Sequence, residues 1–309
     1  MARSFEQIYA PAPKAAVGRL LAFRERCPSS YSEYGGRLYR TWDLNQGADG
    51  VPMVFLPSGL AHGEMWFPYM LELARCGRCI AFSYAEDEEP KALAQAYLEI
   101  LSGMGVDRFV LIAQSVGGLV AQVIAAQAPQ RVAGLLLALS GCPGEALSAA
   151  QSQHWINRRK MARRLHWSRF SSGERLGLAD NMFEALCPEE YQEAQTFWMG
   201  YIEEVFDAYM YKAQYAAINS ALVPAIYEQF EFSAEDFQSI SQVCIFESQG
   251  DKTFGEQERA VLRGVFPQAQ VHDVGPHGQF TLMLHEGVCL PMVEKFIAQV
   301  NQSLADHPV

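Results

Sequence analysis

Ser115 occupies a position at which a hydroxyl can act as a nucleophile. The apolar segment 108–113 predicts a strand, and a helical pattern begins directly after Ser115. A serine on so sharp a turn is held in a strained backbone conformation with its hydroxyl exposed, and the residues two before and two after it must be small. Ala113 and Gly117 meet this requirement, and no other serine has Gly or Ala at −2 together with Gly at +2. The pattern indicates covalent catalysis, and the alternative is an ordinary glycine-rich turn.

An acidic and a basic residue follow two later predicted strands. Asp251 comes just after the strand predicted over 242–247 and lies 136 residues after Ser115 (251 minus 115). His277 follows the strand predicted over 270–274. An imidazole with an ordinary pKa of about 6.5 can take the serine proton and return it later, while an aspartate fixes the tautomer of that imidazole and stabilises its charged form. Without its position after a strand, Asp251 would be interpreted as a turn or N-cap residue.

Other histidines offer alternative bases. His62 lies in the loop after the second predicted strand, and His285 lies on or before the last predicted helix. His272 alternates within a predicted strand, so we expect it to pack against neighbouring side chains. Position alone leaves His277, His62 and His285 open as candidates, and the choice of His277 rests on the family resemblance.

Short apolar runs alternate with longer helical patterns from about residue 31, which is typical of an α/β fold with a mostly parallel sheet and helices on both faces. After the fifth of seven predicted strands, about a hundred residues read as helices only, which is too long for a connection and predicts an inserted lid or cap. The predicted strands are 37–43, 51–56, 78–84, 108–113, 132–139, 242–247 and 270–274. The predicted regions are a helical extension (1–30), an α/β core (31–143 and 241–309) and a helical cap (144–240).

The order serine, acid, histidine, with each residue at the end of a strand, resembles the α/β-hydrolase superfamily. The sequence Ala113-Gln-Ser-Val-Gly-Gly118 is similar to its nucleophile elbow, with Ala where Gly is usual. The resemblance covers about residues 35–140 and 240–300. The aromatic residue that often follows the family's histidine is replaced here by Gly278-Gln279, which is a departure in the loop and not in the histidine.

The resemblance also implies an oxyanion hole made by two backbone N–H groups. One is that of Val116, directly after the nucleophile, and the other is that of Leu60 in the loop after the second predicted strand. Ser58-Gly59 stands there where the family commonly has His-Gly, and the later His62-Gly63 pair is a second candidate. Substrate contacts are expected from Ser58, Gly59, Gln114 and Trp198.

A serine nucleophile argues against the haloalkane dehalogenase and epoxide hydrolase branches, which carry an aspartate at this position. We therefore expect a carboxylesterase-like or thioesterase-like serine hydrolase that cleaves an ester or thioester of a medium-sized apolar acyl or aromatic small molecule, since the predicted cap is rich in Trp, Tyr and Phe. The alternatives are a lyase or cyclase of small-molecule biosynthesis and a non-catalytic binding protein. The latter follows from a faint similarity to the maspardin-like branch in the Pro-containing loop 55–60, the elbow and Phe170-Ser-Ser-Gly173.

Composition narrows the remaining possibilities. Hydrophobic residues make up 50% of the chain and charged residues 19%, which indicates a folded protein. A formal net charge of -11 disfavours binding to nucleic acid. No segment approaches the roughly 18 uninterrupted apolar residues of a membrane span, and the N-terminus lacks an apolar signal segment. Together with 7 scattered cysteines, this predicts a cytoplasmic protein.

Three further patterns bear on metals, cofactors and partners. Cys76-Gly-Arg-Cys79 has the spacing of a redox motif or half a zinc site, but no second pair follows, so no metal is expected. No glycine-rich phosphate motif is present either, so no cofactor is expected. Residues 151–170 carry six basic and no acidic residues. This patch is either a solvated helix face or a surface for an anionic partner such as an acyl carrier or a CoA thioester.

Overall fold

The computed structural model of the protein describes residues 3–84, 89–164, 191–208 and 214–306. Eight strands within these residues form one sheet. They are β1 (Ser30–Tyr34), β2 (Arg37–Leu44), β3 (Met53–Leu56), β4 (Cys79–Phe82), β5 (Phe109–Gln114), β6 (Val132–Ala138), β7 (Val243–Glu247) and β8 (Gln270–Asp273). Their order across the sheet is β1-β2-β4-β3-β5-β6-β7-β8. Neighbours from β4 to β8 are parallel, and β1 and β2 add an antiparallel edge.

Helices cover the sheet. Strands β3, β5 and β6 are buried along their whole length, which requires a cover on both faces. The described α-helices are α1 (Phe5–Tyr9), α2 (Lys14–Arg26), α3 (Phe67–Leu73), α4 (Pro90–Gly103), α5 (Val116–Gln127), α6 (Ala149–Arg164), α7 (Gln192–Ala208), α8 (Gln214–Gln229), α9 (Glu256–Val265), α10 (Thr281–Leu284) and α11 (Glu286–Asp306). Helices α4 and α5 pack against each other, and α3 packs against α11. No helix of the described residues is long and apolar enough to cross a bilayer.

The predicted α/β architecture is confirmed, and all seven predicted strands are present with ends within two residues of the prediction. Strand β1 was missed. Its sequence is Ser-Tyr-Ser-Glu-Tyr, and four of its five residues are exposed. An edge strand needs no continuous apolar run, because its backbone bonds to only one neighbour, here β2. The hydrophobic pattern on which the other predictions depended was therefore absent.

The predicted N-terminal helix is α2, which lies against both the body and the cap. Leu20 and Phe23 are fully buried, whereas Leu21 is exposed. Arg24 forms ion pairs with Glu64 in the turn after β3, at 2.7 Å, and with Glu204 of α7, at 2.8 Å. This arginine joins three segments that are far apart in sequence.

The described part of the predicted cap contains helices α6, α7 and α8 and no strand of the main sheet. Its two ends meet at a backbone bridge between Gly144 and Phe232, with Glu145 N donating to Phe232 O at 3.1 Å. Residues 165–190, which include Phe170-Ser-Ser-Gly173, lie outside the described residues, and so do the side chains of most of the basic patch. The exact cap boundaries remain a prediction.

Candidate active site

Ser115 lies on a strained turn between β5 and α5. Its backbone has φ 57° and ψ −118°, a combination that costs a non-glycine residue of order 1–3 kcal/mol. The turn is held from both sides, because Ser115 N donates to Ala138 O at 2.9 Å and Ser140 Oγ donates to Ser115 O at 2.8 Å. The strand, turn and helix expected from the sequence are present, and the surrounding structure maintains the strain.

The elbow packs directly against the loop that follows β3. A Cβ atom at Gly117 would lie 2.6 Å from Leu56 O and 2.7 Å from Pro57 O, closer than such atoms approach. Gly118 is equally crowded, by the Ser140 side chain. The small residue predicted at position 117 is thus required by the structure, and it brings the serine turn against the predicted oxyanion loop.

The two predicted oxyanion donors differ in their surroundings. Val116 is the first residue of α5, so its N–H has no acceptor within its own helix. Leu60 N donates to Ser58 Oγ at 3.4 Å, a long contact within the loop itself. Ser58 in turn donates from its N–H to Met65 Sδ at 3.4 Å. Because Ser58 makes both of these contacts within the loop, it helps to shape the loop.

The alternative base His62 is a structural residue. It is 4% exposed, and Arg40 Nη1 donates to its Nε2 at 3.3 Å. Arginine can only donate, so the proton of the neutral ring is on Nδ1, which lies 3.0 Å from the Tyr201 hydroxyl. Burial, reinforced by Arg40 and Arg24, holds the pKa of His62 well below 6.5. Both nitrogens are engaged, so the ring does not serve the serine in this structure.

Asp251 lies in the loop after β7 and is 6% exposed. Its Oδ1 accepts hydrogen bonds from Thr253 N at 2.8 Å and Phe254 N at 3.2 Å, and its Oδ2 accepts one from Gln279 Nε2 at 2.7 Å. Burial raises the pKa of Asp251 above 3.8, and the three hydrogen bonds and Arg259 oppose that rise. The carboxylate is therefore fixed in orientation on both oxygens.

The Asp251 loop and the His277 loop are interlocked. Ser248 Oγ donates to Gly275 O at 2.6 Å and accepts from Gly278 N at 2.9 Å. A Cβ at Gly278, which has φ 52°, would lie 3.4 Å from the Asp251 Cα. The backbone next to His277 is therefore held against that of Asp251, and His277 is 4% exposed.

His277 also belongs to a cluster of three rings. Its ring centroid is 4.4 Å from that of His285, which follows α10, and 5.0 Å from that of Tyr191, which precedes α7. Tyr191 and His285 are themselves 4.6 Å apart. Sequence reasoning treated His285 as a rival base and did not single out Tyr191. The structure makes both of them neighbours of His277, so the cap contributes an aromatic ring to this end of the sheet.

Gln114 joins the serine turn to the histidine loop. Its Nε2 donates to Gln279 O at 2.6 Å, and its side chain has no exposed surface. The loops after β7 and β8 and the end of β5 thus meet at the carboxyl end of the sheet, the end that carries Ser115, Asp251 and His277. Gln114 was predicted to contact the substrate; in this structure its amide bonds to the histidine loop, and the substrate contact stays a prediction.

Trp198 lies where α7 meets the body, and its predicted contact with the substrate stays a prediction. It is 5% exposed, and its Nε1 donates to Met283 O at 2.9 Å. The ring packs against Phe67 of the body and against Tyr201 of its own helix. A large ring with its one polar atom satisfied is a packing residue, and here it anchors α7 to the body.

Among the residues that the structure describes, neither a metal nor a redox centre is indicated. Among the described residues, no group of three or more His, Cys, Asp or Glu side chains is arranged to hold a metal ion. Cys76 and Cys79 are both free thiols, and burial raises the pKa of Cys79, which disfavours the reactive thiolate. Cys76 therefore lies in the turn after α3, and Cys79 is the first residue of β4.

Comparison with known proteins identifies the family. The model of the alpha/beta hydrolase family matches residues 53–292. The chain belongs to this family, and the class of enzyme expected from the sequence, a hydrolase, is confirmed at this level. The match spans β3 to α11 and so includes the serine turn and both loops described above.

Solved structures share the fold at low identity. An enol-lactonase from Burkholderia xenovorans superposes with a TM-score of 0.69 at 15% identity, covering 87% of this chain and 100% of that chain. A thermophilic esterase from Thermogutta terrifontis has a TM-score of 0.68 at 19% identity, covering 89% of this chain and 99% of that chain. Naproxen esterase from Bacillus subtilis has a TM-score of 0.63 at 14% identity, covering 96% and 99%.

One curated relative matches over part of its length. A segment of 134 residues is 31% identical to the dihydrolipoyllysine-residue acetyltransferase component of the acetoin cleaving system of Pseudomonas putida. The match covers 40% of this chain and 36% of that relative. The matched segment therefore spans about a third of the length of that protein. The similarity to the maspardin-like branch rests on the sequence alone and stays a prediction.

Proposed function

We propose that this protein is a serine hydrolase that cleaves an ester or thioester of a medium-sized apolar acyl or aromatic substrate through a covalent acyl-enzyme. The observation that carries the proposal is the strained Ser115 backbone at φ 57°, clamped by hydrogen bonds from Ser140 and to Ala138. Strain of this kind persists only where the surroundings enforce it, and a nucleophile on an exposed turn is the use this family makes of it.

His277 would act as general base toward Ser115. As it takes the hydroxyl proton, Ser115 Oγ forms a bond to the substrate carbonyl carbon, and the carbonyl electron pair moves to oxygen. The N–H groups of Val116 and Leu60 are our candidates for stabilising that oxyanion. The C–O or C–S bond then breaks, and the leaving alcohol or thiol takes the proton from His277 while the acyl group stays on Ser115.

Water completes the cycle by the same chemistry. His277 takes a proton from water as its oxygen attacks the acyl carbon, and the carboxylic acid leaves as the proton returns to Ser115. Asp251 holds the imidazole in one tautomer and stabilises its cationic form. Its fixed carboxylate, with Oδ1 held by Thr253 N and Phe254 N, supports this assignment.

Apolar substrates are favoured by the rings near His277. Tyr191 brings a cap ring to within 5.0 Å of the imidazole, and rings at that position would contact an acyl or aromatic group and exclude water. Thioesters are included because the curated relative is named an acetyltransferase for a dihydrolipoyllysine residue, whose acceptor is a thiol. A small-molecule ester and an acyl carrier or CoA thioester are thus the two substrate forms to compare.

Covalent labelling tests the proposal. A fluorophosphonate probe should label the wild-type protein, and Ser115→Ala should abolish both labelling and ester turnover while the fold is retained. Ser102→Ala is the matched control, since that hydroxyl bonds to Leu98 O on α4 at 2.9 Å. Labelling that survives in Ser115→Ala would refute the assignment of the nucleophile.

A series of p-nitrophenyl esters and matched CoA thioesters, from acetyl to lauroyl, tests the substrate class. We expect kcat/KM to rise with chain length, because each added methylene lowers the activation free energy by at most about 0.8 kcal/mol. Flat rates at background level from a folded, labelled protein would contradict an acyl hydrolase and favour the lyase or cyclase. No labelling and flat rates together would favour the binding protein.

A further inference from the structure

Gln279 connects three loops at the carboxyl end of the sheet. Its Nε2 donates to Asp251 Oδ2 at 2.7 Å and to Leu139 O at 2.8 Å. Its backbone carbonyl oxygen accepts a hydrogen bond from Gln114 Nε2 at 2.6 Å. One residue thus contacts the segments after β6 and β7 and the last residue of β5, while its own backbone belongs to the histidine loop. It stands where the family pattern led us to expect an aromatic residue near the histidine.

The contact with Asp251 adds a donor to the second oxygen of the carboxylate. Oδ1 is already occupied by Thr253 N and Phe254 N, so Gln279 holds the second oxygen. A neutral amide donor favours the ionised form of the carboxylate that it binds. It therefore counteracts burial, which favours the protonated form of Asp251.

The contact with Leu139 gives a physical reason for a strained backbone. Leu139 has φ 53°, a left-handed conformation that is rare for a branched apolar residue. Its N–H donates to Phe246 O at 2.8 Å, and its carbonyl accepts from Gln279 Nε2. The unusual backbone turns this carbonyl toward Gln279, so both protons of one amide group are used.

The contact with Gln114 reaches the residue directly before the nucleophile. Gln114 is fully buried, and its Oε1 has no hydrogen-bond partner within the described residues. The orientation of its amide is nevertheless determined, because a flipped group would place Oε1 against Gln279 O. Leaving a buried oxygen unsatisfied costs free energy, so the bond from Nε2 to the histidine loop is retained at the expense of Oε1.

We propose that Gln279 is a positioning residue of the active site: through Asp251, Leu139 and Gln114 it sets the orientation of the acid and ties the histidine loop to the nucleophile. The inference rests on the proposed function, in which Asp251 and His277 serve Ser115. Gln279 does not touch the reacting atoms. It acts through Asp251 on one side and through Gln114 on the other.

Gln279→Glu and Gln279→Leu test the proposal. The first keeps the shape of the side chain and places a second carboxylate beside Asp251. Two carboxylates at hydrogen-bond distance share a proton up to a higher pH than one carboxylate alone, so the acid limb of the kcat/KM profile should move to higher pH. Gln279→Leu removes both donated bonds, and kcat should fall by about tenfold or more with little change in KM.

Among the residues that the structure describes, the following charged and titratable groups face this bridge. Asp251 faces Arg259 of α9 as well as Gln279. His277 faces His285 after α10 and Tyr191 before α7. Gln268→Glu is the matched control for added charge, because that glutamine bonds to Ile240 O at 2.9 Å in a different part of the chain. Its pH profile should coincide with that of the wild type.

Gln114→Leu provides an independent arm if Gln279→Glu fails to fold. It breaks only the bond to Gln279 O, so kcat should fall while the acid limb stays in place. The inference is overturned if the Gln279 variants keep the wild-type kcat and pH profile, or lose only thermal stability. Asp251→Asn separates the two levels, since a wild-type rate in that variant would remove Asp251 from the mechanism on which the inference rests.

Discussion

Two histidines, His62 and His277, are equally buried, each 4% exposed, yet the regions around them are built differently. The loop after β3 encloses His62 between Arg40 and the Tyr201 hydroxyl, which occupy its two nitrogens. The loops after β7 and β8 hold His277 among aromatic rings, and its neighbour Gly278 lies against the backbone of Asp251. Burial therefore does not identify a base. The groups that contact the ring decide whether it can exchange a proton.

The same two regions differ in what holds them together. The β3 side depends on charge, with Arg24 bridging Glu64 and Glu204. The β7 and β8 side depends on neutral hydrogen bonds from Ser248, Gln279 and backbone N–H groups. These neutral bonds add no charge of their own beside Asp251, which already faces Arg259. Ion pairs suit the attachment of a cap helix to the body.

The largest effect should separate the two histidines directly. We expect His277→Ala to lower kcat by a factor on the order of 10⁴, since the serine loses its base. His62→Ala should leave kcat within about tenfold of the wild type and lower thermal stability instead, because it removes a buried, hydrogen-bonded ring. Rates of p-nitrophenyl ester cleavage and fluorophosphonate labelling measure this difference. The reverse pattern would show that the histidines are wrongly assigned.

Asp251→Asn should come next, with a loss in kcat again on the order of 10⁴ and nearly unchanged KM. The amide cannot stabilise the imidazolium of His277 or select its tautomer. Asp273→Asn on β8 is a suitable control, because its carboxylate bonds to Gln249 Nε2 at 3.0 Å and to Gly275 N at 3.0 Å. Equal rates in the two variants would remove the acid from the proposed mechanism.

Arg24→Met should act on stability. The variant leaves the Glu64 carboxylate, whose side chain is 4% exposed, without its cation, and breaking a buried pair in this way costs about 3–5 kcal/mol of unfolding free energy. Arg75→Met is the control, because Arg75 is 60% exposed in its pair with Glu294 and such pairs contribute about 0–1 kcal/mol. Urea denaturation measures both. A loss no greater than that of Arg75→Met would show that charge does not hold the cap helix.

The smallest effect concerns pH and stability. The pKa of His62 is held below 6.5 in the folded protein, so below that pH the unfolded chain binds a proton that the folded chain does not. Above about pH 7 the ring is neutral in both states and His62 does not oppose folding. As the pH falls below about 6.5, protonation of the unfolded chain lowers the free energy of unfolding. The decline of Tm toward about pH 5 should be shallower in His62→Gln than in the wild type. Parallel curves would contradict a neutral buried imidazole.

Sequence reasoning reached the residues that a local pattern dictates. Ser115 was identified because the small residues around it must let strand and helix pass, and the crowding of Gly117 by Leu56 and Pro57 shows that requirement. Asp251 was selected by its place after a predicted strand, and His277 by the resemblance to the family. The carboxyl ends of parallel strands lie at one edge of a sheet, so both residues follow strands at the same edge as Ser115.

The tertiary structure decided what each neighbouring side chain contacts. Gln114 and Trp198 were predicted to touch the substrate, and the structure adds the bonds that they make within the chain, one to the histidine loop and the other to Met283 O. Gln279 showed in the sequence only as a departure from a family pattern, and its bond to Leu139 joins residues 140 positions apart. Strand and turn signals depend on neighbours in the chain and can be read from it. The partners of a buried amide or imidazole are set by long-range packing, which no local pattern encodes.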